Sequence, residues 1–269
     1  MTTFFQAFFL GILQGVAEFL PISSSGHLIL LSNWLNWSDQ GLFFDVVLHL
    51  GSLLAVVFYF RKKLLSLLFS IFGKTEDNKE ERRFIFLLAI STLPAVLVGF
   101  LIKDFVENSL RSVLVVAFGL IFWGGVLWFA DWKSRHHKTQ KTHNDLNWKD
   151  TLFIGFAQAI ALIPGTSRSG ITISAGLLKG MNRKDAASFS FLMSIPVIFG
   201  AGLLTFLDIT KSSLETISVS HLFVGFISAF VSGFFAICFL MRFIQKRTFK
   251  DFAIYRFVLG ALILILYFV

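Results

Sequence analysis

The sequence predicts an all-α integral membrane protein with six transmembrane helices and two re-entrant helical hairpins, arranged as an inverted-topology repeat. Three observations carry that prediction. The 269 residues are 55% hydrophobic and 15% charged, whereas a soluble domain carries about 25% charged residues, so the polar surface is too small to solvate a globule. Six apolar segments reach the length of a membrane crossing. Lys and Arg cluster in alternate linkers between them.

A crossing helix needs roughly 20 mostly apolar residues. Segments 41–60, 84–102, 112–130, 186–207, 220–241 and 252–268 meet that requirement. Stretch 4–20 nearly does, but Gln6, Gln14 and Glu18 interrupt it. Stretches 28–37, 150–163 and 171–181 are too short to cross. The pairs 4–20/28–37 and 150–163/171–181 are each joined by a Pro/Ser/Gly loop, the sequence form of a re-entrant hairpin. No charged, apolar and small-residue order of a cleavable signal peptide opens the chain, so the apolar residues from Phe4 are expected in the mature protein.

Linkers 61–83, 131–149, 179–184 and 242–250 hold 19 of the 24 Lys and Arg, whereas 31–40, 103–111 and 209–219 hold three between them. The rich linkers are expected on the cytoplasmic side. Both termini then lie outside, and the halves run in opposite directions. The expected organisation is a first repeat 1–130, a basic cytoplasmic linker 131–149 and a second repeat 150–269. A weak internal repeat agrees. Phe9, Gly11, Gln14 and Ala17 match Phe153, Gly155, Gln158 and Ala161 at an offset of 144, and Ser25-Gly26 matches Ser169-Gly170. Pro21 matches Pro164 after a one-residue gap. Repeats of this kind place their sites near the midplane, at the interface between halves.

The net charge of +8 is dispersed in short blocks between apolar segments, which argues against nucleic acid as a partner. The single cysteine, Cys238, excludes a disulfide framework and a cysteine metal site.

Charged groups inside a membrane are costly and are functional candidates by default. Here they concentrate in the hairpins. Gln14 and Glu18, four apart, share a helix face, and Pro21 stops that helix. Ser23, Ser24, Ser25, Gly26 and His27 follow. The second hairpin repeats the plan with Pro164, Gly165, Thr166, Ser167, Arg168, Ser169, Gly170 and Thr172. A helix N-terminus rich in small polar residues is an anion site, and an arginine fork matches phosphate oxygens. The set fits phosphoryl transfer, with Arg168 holding the phosphate. Either a serine attacks phosphorus while Glu18 or His27 takes its proton, or one of those two activates water. Asp45 and His49, four apart near the outer end of the next helix, are accessory candidates for a cation or substrate. Arg256, four residues into the last span, is explained by snorkelling.

The runs Gln14 to His27 and Pro164 to Thr172 closely resemble the motifs of the bacterial undecaprenyl-diphosphate phosphatases, also called bacitracin-resistance proteins. Residues 252–257 resemble that family's last helix, and the resemblance covers essentially the whole chain. It implies hydrolysis of undecaprenyl diphosphate to the monophosphate carrier lipid of cell-wall synthesis, with bacitracin resistance as a consequence. It also implies a multi-pass protein of the bacterial inner membrane, a site opening to the periplasm, and dependence on a divalent cation, Mg²⁺ or Ca²⁺. By motif, Glu18 is the second carboxylate of the E/Q-x-x-x-E pattern and the candidate metal ligand. Ser24 matches the serine nucleophile, His27 the acid/base and Arg168 the phosphate arginine. Gln14, Ser23, Ser25, Gly26, Gly165, Thr166, Ser167, Ser169 and Thr172 are the expected substrate-binding positions. Gln14 stands where many members have a carboxylate, and Asp45 and His49 replace a Glu and a Gln found in some.

Expected partners are the lipid substrate, the membrane and a second copy of the chain as a homodimer. The competing reading is a transporter or flippase of an anionic lipid or small anion. It needs the arginine and the helix ends, but not an acid/base pair beside a hydroxyl.

Overall fold

The computed structural model describes residues 3–35, 37, 41–73, 76–136, 140–207 and 218–269, and the regular elements among them are helices, with one isolated bridge between Lys141 and Met181. Residues 36 and 38–40 of the expected linker 31–40, and 209–217 of the linker 209–219, lie outside them. Helix α1 (Phe4–Phe19) starts at Thr3, whose hydroxyl accepts from the Gln6 amide while the Gln6 side chain accepts from the Thr3 amide, a reciprocal cap. It stops just before Pro21 and is followed by α2 (Ser24–Trp34). Helix α3 (Leu42–Tyr59) meets α4 (Arg61–Ser70) at a 75° bend. Then come α5 (Glu76–Phe105), a π-helical turn (Val106–Leu110) and α6 (Val113–Ser134). The second half holds α7 (Trp148–Ile160), α8 (Arg168–Leu178), α9 (Arg183–Leu207), α10 (Val219–Lys246) and α11 (Lys250–Phe268).

Among the described residues five helices are long and apolar enough to cross a membrane, and the total is six where the bent pair α3–α4 is counted as one broken span. The chain is therefore a multi-pass membrane protein. Helix ends differ from the expected spans: α5 begins at Glu76 rather than 84, and α10 runs to Lys246 rather than 241. Hydropathy marks only the lipid-facing length, and Lys, Arg and Glu are good helix formers that prolong the helix into water.

The two hairpins interlock with the opposite halves. Helix α1 packs along α10, and α7 packs along α5. Glycines permit both approaches: a Cβ on Gly11 would stand 2.5 Å from the Gly225 carbonyl oxygen, and one on Gly155 2.5 Å from that of Ser91. Between helices in lipid, such small-residue contacts replace the hydrophobic effect as the means of association. Helix α8 lies on α6, α6 on α11 and α3 on α9. Phe19 and Phe191 close the core beneath the hairpins, edge to face at 5.3 Å.

The basic linkers gather at one end of the bundle. Arg83 donates to the carbonyls of Asn144 and Leu146, and the Arg183 guanidinium pairs with buried Asp131 at 2.6 Å. Lys141 bridges Asp150, and Lys250 sits over the Trp128 ring.

Candidate active site

The two hairpin loops meet head to head. Each ends in a serine N-cap, Ser23 (φ 77°) and Ser167 (φ 71°), whose hydroxyl accepts from the amide of Gly26 or Gly170. A positive φ at a residue with a Cβ is uncommon and costs roughly 1–3 kcal/mol, so the surroundings must enforce it. The capping serines are 144 residues apart, as are the residues that open the next helices, Ser24 and Arg168. The loops thus present a hydroxyl and a guanidinium from equivalent places. The counterpart of Glu18 is Leu162, so the carboxylate exists in the first hairpin alone.

Glu18 is the hub. It is 6% exposed, and its Oε1 accepts from Arg168 Nη2 at 2.8 Å. Its Oε2 accepts from Ser24 Oγ at 2.7 Å and from Gln14 Nε2 at 3.1 Å. The second fork of Arg168, Nη1, donates to the Ser190 carbonyl at 2.8 Å. A buried carboxylate must be paired and hydrogen-bonded, and these three donors meet that need. They also aim the Ser24 hydroxyl proton at a base. His49 completes the shell, with Nε2 3.6 Å from Glu18 Oε2. Its Nδ1 donates to the Asp45 carbonyl at 2.7 Å, which orients the ring. The Asp45 carboxylate pairs with Arg111 at 3.7 Å; His49 lies beside Glu18, whereas among the described residues no hydrogen bond or ion pair joins Asp45 to Glu18.

His27 is also placed apart. Its Nδ1 is 2.7 Å from the Ser23 carbonyl oxygen and its Nε2 2.7 Å from the Tyr255 hydroxyl. A carbonyl only accepts, so Nδ1 carries the proton and the Tyr255 hydroxyl donates to Nε2. The rings stack at 7° with centroids 5.8 Å apart. Among the described residues no hydrogen bond or ion pair links His27 to Glu18.

Of the expected substrate-binding hydroxyls, several are engaged within the loops. Ser169 donates to the Leu20 carbonyl at 3.2 Å and lies 3.3 Å from Ser167 Oγ. Thr172 donates to the Arg168 carbonyl at 2.7 Å and meets Ser190 Oγ at 2.6 Å. Ser25 stands partly buried in the first turn of α2, with Gly26 buried behind it. Gly165 takes φ 85° where a Cβ would strike the Val116 carbonyl. Among the described residues, Thr166 Oγ1 and Gln14 Oε1 are buried without a hydrogen-bond partner.

Three contributors escaped the sequence reading. Ser190 is one of several serines in the span 186–207, and Tyr255 lies in the stretch 252–257, which resembles the family's last helix, but the sequence assigns neither a role. Arg256 did carry a signal, but snorkelling is the wrong account of it. The side chain is fully buried and points inward. Its Nη2 donates to the carbonyls of Gly165 and Thr166, both at 2.9 Å, and of Gly119 at 3.2 Å. Nη1 donates to the Pro21 carbonyl at 3.3 Å and Nε to that of Leu120 at 3.2 Å. Snorkelling requires a head group that can reach the interface, and this one is held by three loop carbonyls and two carbonyls of α6.

No group of three or more His, Cys, Asp or Glu side chains gathers as a metal site among the described residues. A cation beside Glu18 would have to be held jointly with a ligand. One carboxylate plus phosphate oxygens is the usual protein share for Mg²⁺, and the orphaned Gln14 Oε1 adds a neutral oxygen.

Chemically, the arrangement joins a hydroxyl hydrogen-bonded to a buried carboxylate, a guanidinium from the opposite hairpin and the first turns of two helices. The family model described as bacitracin resistance protein BacA matches residues 7–262. A protein named undecaprenyl-diphosphatase from Aliivibrio salmonicida (strain LFI1238) is 48% identical over 266 residues, covering 97% of each chain. The chain belongs to the bacitracin resistance protein BacA family.

Proposed function

We propose that this chain is an undecaprenyl-diphosphate phosphatase, releasing inorganic phosphate and the monophosphate carrier lipid, and that its activity supports cell-wall synthesis and bacitracin resistance. The observation that carries the mechanism is the 2.7 Å hydrogen bond from Ser24 to Glu18, whose other oxygen holds Arg168. The terminal phosphate enters between the first turns of α2 and α8, where helix ends favour anions, and Arg168 binds its oxygens. Ser24 Oγ attacks the terminal phosphorus, its proton passes to Glu18, and the bond to the bridging oxygen breaks to release the monophosphate lipid. Glu18 gives that proton to the departing monophosphate, then takes the proton of a water that attacks the phosphoserine and passes it to Ser24 Oγ as the Oγ–P bond breaks and phosphate leaves. Glu18 rather than His27 is the proton acceptor, because His27 Nε2 already receives the Tyr255 hydroxyl.

A divalent cation, Mg²⁺ or Ca²⁺, would be held by Glu18 and Gln14 together with the diphosphate, and would neutralise charge on the phosphates. The organisation that goes with this reading is an inverted pair, 1–130 and 150–269, joined by 131–149. It lies in the bacterial inner membrane with both termini and the site mouth on the periplasmic side. The meeting of the basic linkers at one end supports that orientation. A homodimer is a separate proposal, checked by the mass of the detergent-solubilised particle.

The test is phosphate release from undecaprenyl diphosphate by purified protein, with acid quenching to trap labelled enzyme. Release by the wild type, with label on a serine that Ser24→Ala abolishes, is expected. Release without any trapped label, and with Ser24→Ala still active, moves the nucleophile to water. No release at all, with cation supplied, returns the transporter reading to first place.

A further inference from the structure

The proposed reaction uses Glu18, Ser24 and Arg168 and leaves Arg256 without a task. A guanidinium sealed among membrane helices is expensive, and among the described residues all five of its hydrogen bonds go to main-chain carbonyls. Those carbonyls are not scattered. Pro21 belongs to the loop of the first hairpin, Gly165 and Thr166 to the loop of the second, and Gly119 and Leu120 to α6, on which α8 rests. One side chain therefore touches both loops and the helix that supports them.

The bonds fall where the backbone is strained. The Thr166 carbonyl belongs to the peptide unit that enters Ser167, and Pro21 lies two residues before Ser23, the two serines with positive φ. Such conformations persist only when the surroundings over-determine them. Because a trans peptide is planar, holding the Thr166 carbonyl also fixes the direction of the Ser167 amide, and so the start of α8 and the origin of Arg168. The space is built for a planar fork. A Cβ on Gly170 would stand 2.9 Å from Arg256 Nη1, and one on Gly124 3.2 Å from Arg256 Cβ.

We infer that Arg256 is a positioning residue that clamps both hairpin loops to α6 and thereby sets Ser24 and Arg168 in register across the substrate phosphate. It acts through the loops and touches no reacting atom. A lysine would keep the charge but lose the planar arrangement of donors that five carbonyls require.

Two measurements on purified full-length Arg256→Lys, well below its melting temperature, test this. The first is local amide exchange by mass spectrometry across peptides covering residues 20–27 and 163–170. Both should exchange at least about tenfold faster than wild type, with the spans unchanged, because loops released from their partners open locally. The second, which rests on the phosphatase reading, is kcat and KM for phosphate release. Displacement of the reacting groups by a fraction of an ångström to an ångström should lower kcat about a hundredfold, with KM changed far less. Unchanged exchange in either loop, or loosened loops with kcat within about threefold of wild type, overturns the inference. If Arg256→Lys does not fold, Gly170→Ala keeps the guanidinium while crowding Nη1, and the same two outcomes decide. A wild type that releases no phosphate ends the phosphatase reading, and the exchange measurement alone then judges the clamp.

Discussion

Replacing Glu18 by glutamine keeps the shape of the hub and removes its charge. In the wild type the carboxylate accepts from Arg168, Ser24 and Gln14. An amide can offer only one acceptor oxygen, so one side of this shell is left with donor facing donor. Hydrogen bonds to a charged group contribute about 1.5–3 kcal/mol, and neutral ones about 0.5–1.5. Loss of charge on two or three bonds, offset by the smaller desolvation of a neutral group, gives a net destabilisation of about 1–3 kcal/mol. The catalytic cost is larger. A positioned base contributes about 10²–10⁴ in rate, so kcat should fall by that factor. Binding should move the other way: Arg168 no longer has to leave a carboxylate to meet phosphate, and KM should stay level or fall. The assay is steady-state phosphate release with undecaprenyl diphosphate, alongside a melting curve in detergent. A kcat within tenfold of wild type, or a raised KM with kcat intact, would refute Glu18 as the base and leave it a binding residue.

Tyr255→Phe removes the donor to His27 Nε2 while preserving the stack. Because the mechanism gives His27 no proton to move, kcat should stay within about threefold of wild type while stability falls by about 0.5–1.5 kcal/mol, the contribution of one neutral hydrogen bond; a loss of kcat of about tenfold would give His27 a part in the reaction. Gln14→Leu deletes the buried Oε1. The Mg²⁺ concentration for half-maximal rate should rise severalfold, measured by titrating cation into chelated enzyme. Gly15→Val should prevent insertion or folding, because its Cβ would collide with Ala229 and Ser232 of α10, at a cost of at least about 1–3 kcal/mol; a normal melting curve would contradict that packing. Asp131→Asn strands Arg183 beside a buried amide and should lower stability by about 3 kcal/mol without changing KM.

The sequence by itself determined the class of protein, the number of long apolar spans and the two polar loops. These depend on local quantities: the length of an apolar run, a proline that stops a helix, serine and glycine at the start of the next one. Gln14 and Glu18 could be paired from spacing alone, since four residues make one helical turn. What sequence could not supply was the distance between the hairpins. Arg168 reaches Glu18 across 150 residues, and only the packing of α1 on α10 and α7 on α5 brings them within 2.8 Å. The same long-range closure separates residues that looked alike in sequence. His27 lies three residues from Ser24 yet faces Tyr255, whereas His49 comes from another helix and lies beside Glu18. Arg256 shows the difference most clearly. One charge near the end of an apolar run reads as a side chain reaching for water, because hydropathy cannot see the carbonyls that two distant loops turn toward it. Tertiary structure decided its role, for the physical reason that unpaired main-chain oxygens inside a membrane need a donor, and the fold brings that donor from the last helix.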